Sequence, residues 1–356
     1  MPLKFVFGPS GSGKSTYLYQ HVIEESEKYP LKNFIVLVPE QFTMQTQKDL
    51  VSMHPRHGIM NIDVLSFARL AYRVFEETGT KQMQVLDDEG KNLILRKIAG
   101  DYENKLTVLK GNIKKLGYIS EVKSVISEFT QYDIGEEEID EMLDHLDEDS
   151  RLYYKLKDIR LLYEGFQDYL RERYITKEEL LDVLNSQVKE SELLKNSVVV
   201  LDGFTGFTPV QNRLILELMR CCKEVWVTVT MDERENPYAY KHPYQLFGLS
   251  KQMITTLVRM AGEDHIEVEE PVCLYGYPVK RFEKNQELAF LERNIFRYGS
   301  GRYDKAVENL EIHAAGNPRQ EADAVAEGIR RLVRKEQYRY RDIGVIVSDM
   351  NVYGDY

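Results

Sequence analysis

The eight residues GPSGSGKS (8–15) constrain this chain more than any other stretch. They fill every position of the pattern G-x-x-x-x-G-K-[ST]. They also stand between an apolar run, KFVF (4–7), and a segment of helical spacing, KSTYLYQHVIEESEK (14–28). A strand that turns through such a loop into a helix aims backbone N–H groups and a positive helix end at an anion. Gly8, Gly11 and Gly13 let those amides turn inward and approach phosphate closely. Lys14 brings positive charge to the β/γ oxygens of a nucleotide, and Ser15 offers a hydroxyl to Mg2+. The expected nucleotide contacts are Gly8, Pro9, Ser10, Gly11, Ser12, Gly13, Lys14, Ser15 and Thr16, with ATP and Mg2+ as the ligands.

A magnesium site of this kind also draws a carboxylate from the end of another strand. VVVL (198–201) delivers Asp202, which is expected to share the metal with Ser15. FIVLV (34–38), IDVLSF (62–67) running into ARLAYRVFEETG, and EVWVTVTM (224–231) read as further strands among helices. Thr208 and Pro209 cap and open the helix VQNRLILELMRCC, and YQLFGLSKQMITTLVRMAG follows a polar loop, 232–243. Such alternation predicts an α/β fold, a P-loop NTPase with a parallel sheet. A transporter ATPase would carry an LSGGQ-like signature before the Asp strand, and there is none.

From 82 to 195 the period changes. Val122, Val125, Ile126 and Phe129 recur at helical spacing and β-branched runs disappear, which predicts an all-helical insertion. The expected division is a discontinuous nucleotide-binding domain (1–81 and 196–304), the insertion (82–195) and the start of a second α/β domain (305–356). RYGSGRYD reads as the linker before it. In that last part LEIHAA (310–315) and DIGVIV (342–347) read as strands around a helix at 319–336. Two strands are too few for an independent sheet, so the chain is expected to be a piece of a longer protein.

The formal charge of −11 argues against a general nucleic-acid coat, yet much of it is local. EEEIDEMLDHLDED (136–149) holds nine acids and no Lys or Arg, the composition of a solvated helix face. Cys221, Cys222 and Cys273 show no zinc spacing, and their odd number suits a reduced, cytoplasmic setting. The seven histidines form no ligand pattern. No stretch approaches the roughly 20 apolar residues of a membrane span, and MPLKFVF lacks the features of a signal peptide.

DGFTGFTPVQ (202–211) resembles the superfamily 1 helicase stretch DEFQDTxxxQ, with Asp202, Phe204 and Gln211 in register. FIVLVPEQFT (34–43) looks like the strand and loop that meet DNA in those enzymes. VLSFARLA (64–71) is similar to their TFxxLA segment, and residues 311–349 look like the entry to their second RecA-like domain. Taken together, GPSGSGKST, LVPEQFT, LDGFTGFTPVQ and NPRQEADAVAEGI resemble the AddB (RexB) family, B subunits of bacterial AddAB helicase–nucleases. The resemblance spans essentially the whole chain.

It implies a RecA-like sheet of superfamily 1 type, a role in double-strand-break processing and recombination, and a partner motor subunit, AddA. It implies DNA contacts at Gln41, Phe42, Thr43, Ser66 and Phe67, and a part in scanning the single strand for the Chi sequence. A nuclease carrying an iron–sulfur cluster is implied beyond Tyr356.

The departures from a motor matter as much. Gly203 stands where the catalytic Glu belongs, and Thr205 and Gly206 replace the Gln and Asp. Losing a general base typically lowers a rate by about 10²–10⁴-fold. TMDEREN (230–236) carries no γ-phosphate-sensing Gln, and seven residues before Gly8 leave no room for the upstream adenine-reading Gln. The expectation is a site that binds ATP·Mg2+ and hydrolyses it slowly or not at all, serving as a DNA-channel scaffold, so no catalytic residue is assigned. Two alternatives stay open: a self-sufficient DNA-stimulated ATPase using Glu233 or Glu235 as base, and a vestigial site. Tyr238, Tyr240, Lys241 and His242 suit either single-strand contact or a hinge. Arg319 and the run RRLVRKEQYRYR (330–341) suit either phosphate contact or surface solvation.

Overall fold

The structure, a computed structural model, describes residues 2–79, 84–112, 115–171, 174–299 and 301–356. The described chain divides into two compact units, Met1–Lys284 and Asn285–Tyr356.

The first unit begins with β1 (Leu3–Gly8), α1 (Lys14–Lys28), β2 (Asn33–Leu37), α2 (Thr43–Met53), β3 (Ile62–Leu65) and α3 (Phe67–Thr78). A mostly helical stretch follows: β4 (Gln84–Leu86), α4 (Asp88–Asp101), α5 (Leu116–Gln131), α6 (Glu136–Asp144), α7 (Arg151–Leu170), β5 (Tyr174–Thr176), α8 (Leu180–Gln187) and α9 (Glu192–Lys195). The sheet then resumes with β6 (Ser197–Leu201), α10 (Pro209–Cys221), β7 (Glu224–Thr230), α11 (Gly248–Glu263) and β8 (Val272–Cys273).

The main sheet has the order β3-β2-β6-β7-β1-β8, and every pairing in it is parallel. Its strands are buried on both faces, as parallel sheets require. Phe5, Phe7, Ile35, Leu37, Val199, Leu201, Val225 and Val227 enter one core, with α3, α8, α10 and α11. Their neighbours Val6, Phe34, Val36, Val198, Val200 and Trp226 enter the opposite core, with residues of α1 and α2. That two-residue alternation fixes register: a one-residue slip would exchange the two cores.

The helices end where their sequences say they should. In α3 the buried residues Phe67, Leu70, Ala71, Val74 and Phe75 line one face, Ser66 caps the start, and Gly79 closes the end with φ 68°. Thr208 and Gln211 form a reciprocal capping box at α10, with Pro209 in the first turn.

The middle stretch has its own core, including Leu95, Ile98, Val122, Ile126, Ile139, Leu162 and Phe166. Val125 and Phe129 pack against it from the half-buried boundary. Asp158 is buried there and accepts N–H bonds from Thr107, Val108 and Leu109, so one carboxylate orders a turn that has no helix of its own. The stretch is not wholly helical: β4 and β5 pair in parallel, bringing together residues far apart in sequence. Leu180, Leu184, Val188 and Leu194 belong to the sheet core, so the return to the sheet begins before β6.

The second unit holds α12 (Gln286–Asn294), α13 (Pro318–Lys335) and α14 (Met350–Tyr353). Asn317 caps α13 and Pro318 occupies its first turn. Arg334 and Lys335 sit in its last turn, opposite the negative helix end. The expected strands at 310–315 and 342–347 are not formed. A strand exists only through hydrogen bonds to a neighbour, and among the described residues none lies beside them. Their apolar side chains stay in the open, with Ile312 99% and Ile346 98% exposed.

Candidate functional site

Because the six strands run parallel, their C-terminal ends share one edge, and the loops after β1, β2, β3, β6 and β7 all emerge there. Ligands of open α/β sheets bind along that edge. A cleft of about 500 Å³ opens on it, lined by Ser10, Gly11, Gly13, Lys14, Ser15 and Thr16 from the glycine loop and α1. Asp202–Thr205, Thr228, Thr230, Lys280 and Arg281 complete its lining.

The glycine loop is shaped as a cradle. Gly11 and Gly13 take φ of 83° and 94°, the left-handed region that glycine enters at little cost. Gly13 caps α1 without a side-chain hydrogen bond, and the first turn contains no acid, so the helix start keeps its positive end for the cleft. Lys14 Nζ donates to the carbonyls of Gly8 at 2.9 Å and Pro9 at 3.0 Å, bracing the loop from its far end. A methyl group on Gly8 would strike the Ser12 side chain and come within 2.9 Å of the Leu274 carbonyl, so this glycine is demanded by packing. The Ser12 hydroxyl is buried and lacks a hydrogen-bond partner among the described residues. A buried, unsatisfied donor beside an open helix start suits an anionic oxygen better than a closed structural turn.

Asp202 enters from the end of β6. One strand, β7, lies between β6 and β1, and it contributes the group that holds the aspartate. Thr228 donates to Asp202 Oδ1 at 2.6 Å and accepts the Gly203 N–H at 3.4 Å. From α1, Tyr19 donates to Oδ2 at 2.6 Å. Burial, reinforced by the Asp202 charge, pushes the Tyr19 phenol well above its usual range, so it stays a donor at neutral pH. Asp202 is 5% exposed and oriented on both oxygens, with lone pairs left for a cation.

The next position differs in conformation as well as chemistry. Gly203 has φ 78°, which a glutamate would adopt only under strain. Among the described residues lining the cleft, Asp202 is the sole carboxylate. Glu235, one candidate for a substitute base, is tied to Lys251 Nζ at 2.6 Å, and neither Glu233 nor Glu235 lines the cleft.

The family described as ADDB, N-terminal, matches residues 5–292. The chain belongs to the AddB N-terminal family. It is 44% identical over its full length to the B subunit of the ATP-dependent helicase/deoxyribonuclease of Lachnoclostridium phytofermentans, covering 31% of that protein. The protein of the same name from Caldanaerobacter subterraneus is 35% identical over 99% of the chain, with 30% of the relative covered. The one from Clostridium acetobutylicum is 30% identical over 99% of the chain, again with 30% covered. The chain thus spans about three-tenths of the length of the curated relatives it matches.

The residues expected to meet DNA divide by exposure in this AddB-family chain. Gln41 and Phe42 lie in a short 3-10 turn after β2; Gln41 is exposed and Phe42 is 49% exposed. Thr43 begins α2, is buried, and donates its hydroxyl to the Glu40 carbonyl at 3.0 Å. Ser66 is the α3 cap, and Phe67 is 7% exposed in the core. Phe67 packs on Phe204 (5.4 Å between centroids), which packs on Phe207 (5.2 Å). These aromatics lock the strand ends of β3 and β6 together. Gln211, in register with the helicase pattern, serves the α10 cap.

In the loop before α11, Gln245 Oε1 accepts N–H bonds from Lys241 and His242, and His242 stacks on Tyr244 at 3.8 Å. Tyr238 turns its ring edge to Phe7. No helix among the described residues is long and apolar enough to cross a membrane.

Sequence reasoning missed Tyr19, Thr228, Lys280 and Arg281. Tyr19 sits one helical turn beyond Ser15 and Thr228 two residues before the end of its strand, so spacing could have nominated both. Lys280 and Arg281 lie far from the loop in sequence and carry no pattern that points back to it.

Proposed function

We propose that this chain binds ATP·Mg2+ and keeps it largely intact, as the N-terminal RecA-like region, of superfamily 1 helicase type, of the B subunit of an ATP-dependent helicase–deoxyribonuclease. The observation that carries the reading is a phosphate cradle facing a single carboxylate. The inward loop amides, the open start of α1 and Lys14 would hold the β- and γ-phosphates. Ser15 and Asp202 would hold the metal, with Tyr19 and Thr228 fixing the aspartate. Mg2+ supplies charge neutralisation between the β- and γ-oxygens when bound. No residue of the lining can take a proton from an attacking water at neutral pH: the threonines titrate far too high, and Asp202 is committed to the metal.

A bound nucleotide that is not consumed acts through its preference for one conformation, shifting the chain towards it. The names of the relatives support a motor partner of AddA type and a DNA substrate in break repair. Gln41 and Phe42, exposed beyond β2, are the members of the expected DNA set placed to meet a strand, with Thr43, Ser66 and Phe67 supporting them from within. A base stacked on Phe42 would contribute about 1–3 kcal/mol. Part of the Chi-scanning channel is assigned to this edge.

Steady-state ATPase assays with and without single-stranded DNA test the reading. The expected rate is near background in both, together with measurable nucleotide binding. Rapid DNA-stimulated turnover that disappears in Lys14→Ala would overturn it.

A further inference from the structure

The turn Lys280–Phe282 is seated directly on the glycine loop. The Arg281 N–H donates to the Gly11 carbonyl at 3.0 Å. Gly11 has no side chain where the arginine stem lies: a methyl there would come within 2.7 Å of Arg281 Cβ and 3.4 Å of its Nε. A methyl on Gly13 would meet Lys280 Cδ at 3.3 Å. Val279, buried in the unit, anchors the turn from beneath. Gly11 and Gly13 therefore admit two basic side chains as well as turning the loop.

Both cations line the cleft, and among the described residues neither is in an ion pair. With Lys14 they set three positive charges against Asp202 alone, in a chain whose formal charge is −11. Neighbouring like charges repel, and this chain has acids to spare for pairing them. A lining that keeps them unpaired is matched to an anion of more than one charge.

We propose that Lys280 and Arg281 form a second wall of the cradle and make it select a nucleoside triphosphate over the diphosphate; this rests on the phosphate-site reading above. The loop amides and Lys14 suffice for the β-phosphate. A γ-phosphate adds about one to two negative charges that Asp202 repels, and the opposite wall offsets them. The planar guanidinium of Arg281 can span two phosphate oxygens, whereas Lys280 acts as a point charge. Contacts of this kind favour the bound substrate as much as the transition state, so they retain the nucleotide without accelerating its cleavage.

The test is calorimetric titration of the 356-residue chain and its Lys280→Ala/Arg281→Ala double variant with a non-hydrolysable ATP analogue and with ADP, each with Mg2+. The expected loss in the double variant is about 10- to 100-fold for the triphosphate and less than about 3-fold for ADP. The variant Lys280→Arg should bind both as the parent does, and an unchanged melting temperature of the double variant shows that the turn is still seated. Equal affinities in parent and double variant, or equal losses for the two nucleotides, overturn the inference while Lys14→Ala still abolishes binding. A parent chain that binds neither nucleotide overturns the phosphate-site reading itself, and the inference with it.

Discussion

The loop after β1 and the corner after β6 face one cleft from either side of β7, and they are built for different tasks. The loop retains each group needed to grip a phosphate: left-handed glycines, a helix start without a competing cap, and a lysine braced on its own loop carbonyls. The corner keeps Asp202 firmly oriented by Tyr19 and Thr228, then turns away through Gly203 at φ 78°. Holding a nucleotide and splitting it are thus separable in structure. The first depends on the loop and the oriented aspartate, the second on a side chain that the corner's backbone does not favour.

The comparison can be broken most sharply at Lys14. Lys14→Ala removes a phosphate cation and the brace on Gly8 and Pro9 together, and is expected to weaken ATP·Mg2+ binding by about 100-fold, measured by calorimetry. Next in size is an attempted repair of the corner. Gly203→Glu restores the missing carboxylate but forces a side chain into left-handed backbone, at a cost of about 1–2 kcal/mol. The expected result is a lower melting temperature with turnover unchanged; a rate rising a hundredfold would mean that chemistry alone separates the two regions.

Tyr19→Phe removes one of the two hydroxyls on Asp202 and should cost about 1 kcal/mol, read as a lower denaturant midpoint and a raised Mg2+ requirement. It also has a pH signature. The folded phenol binds its proton more tightly than the unfolded one, so its contribution is complete below about pH 10 and is lost as pH rises above that. The variant should therefore lose less stability than the parent on the alkaline side. Smallest is Phe42→Ala, at an exposed position outside the cores. Its stability should stay within about half a kcal/mol of the parent while single-strand affinity falls, as fluorescence anisotropy would report.

The sequence made the sheet unit legible because its signals are local. Helix α1 runs from Lys14 to Lys28 as expected, and the cap at Thr208 and Pro209 opens α10. The strand β8 was missed because two residues after a proline carry no period. The pair β4–β5 escaped notice for the same reason, since each strand is three residues long and their pairing is non-local. The strands expected in the second unit show the reverse error. LEIHAA and DIGVIV have the composition of strands, but composition cannot supply a neighbour to bond with.

In the site, GPSGSGKS and Asp202 were readable because their backbone roles demand particular residues in fixed order. Phe67 and Gln211 were not, because a family pattern does not say whether a position serves a ligand or the fold. Here one fills the core and the other caps a helix. Lys280 and Arg281 reach the loop only through the chain's return along β8.

The most direct test is a single-turnover experiment with the chain in excess over radiolabelled ATP·Mg2+ and saturating single-stranded DNA, quenched over an hour. The account predicts that the bound label is recovered almost entirely as ATP. Conversion of most of it to ADP and phosphate within seconds would contradict it.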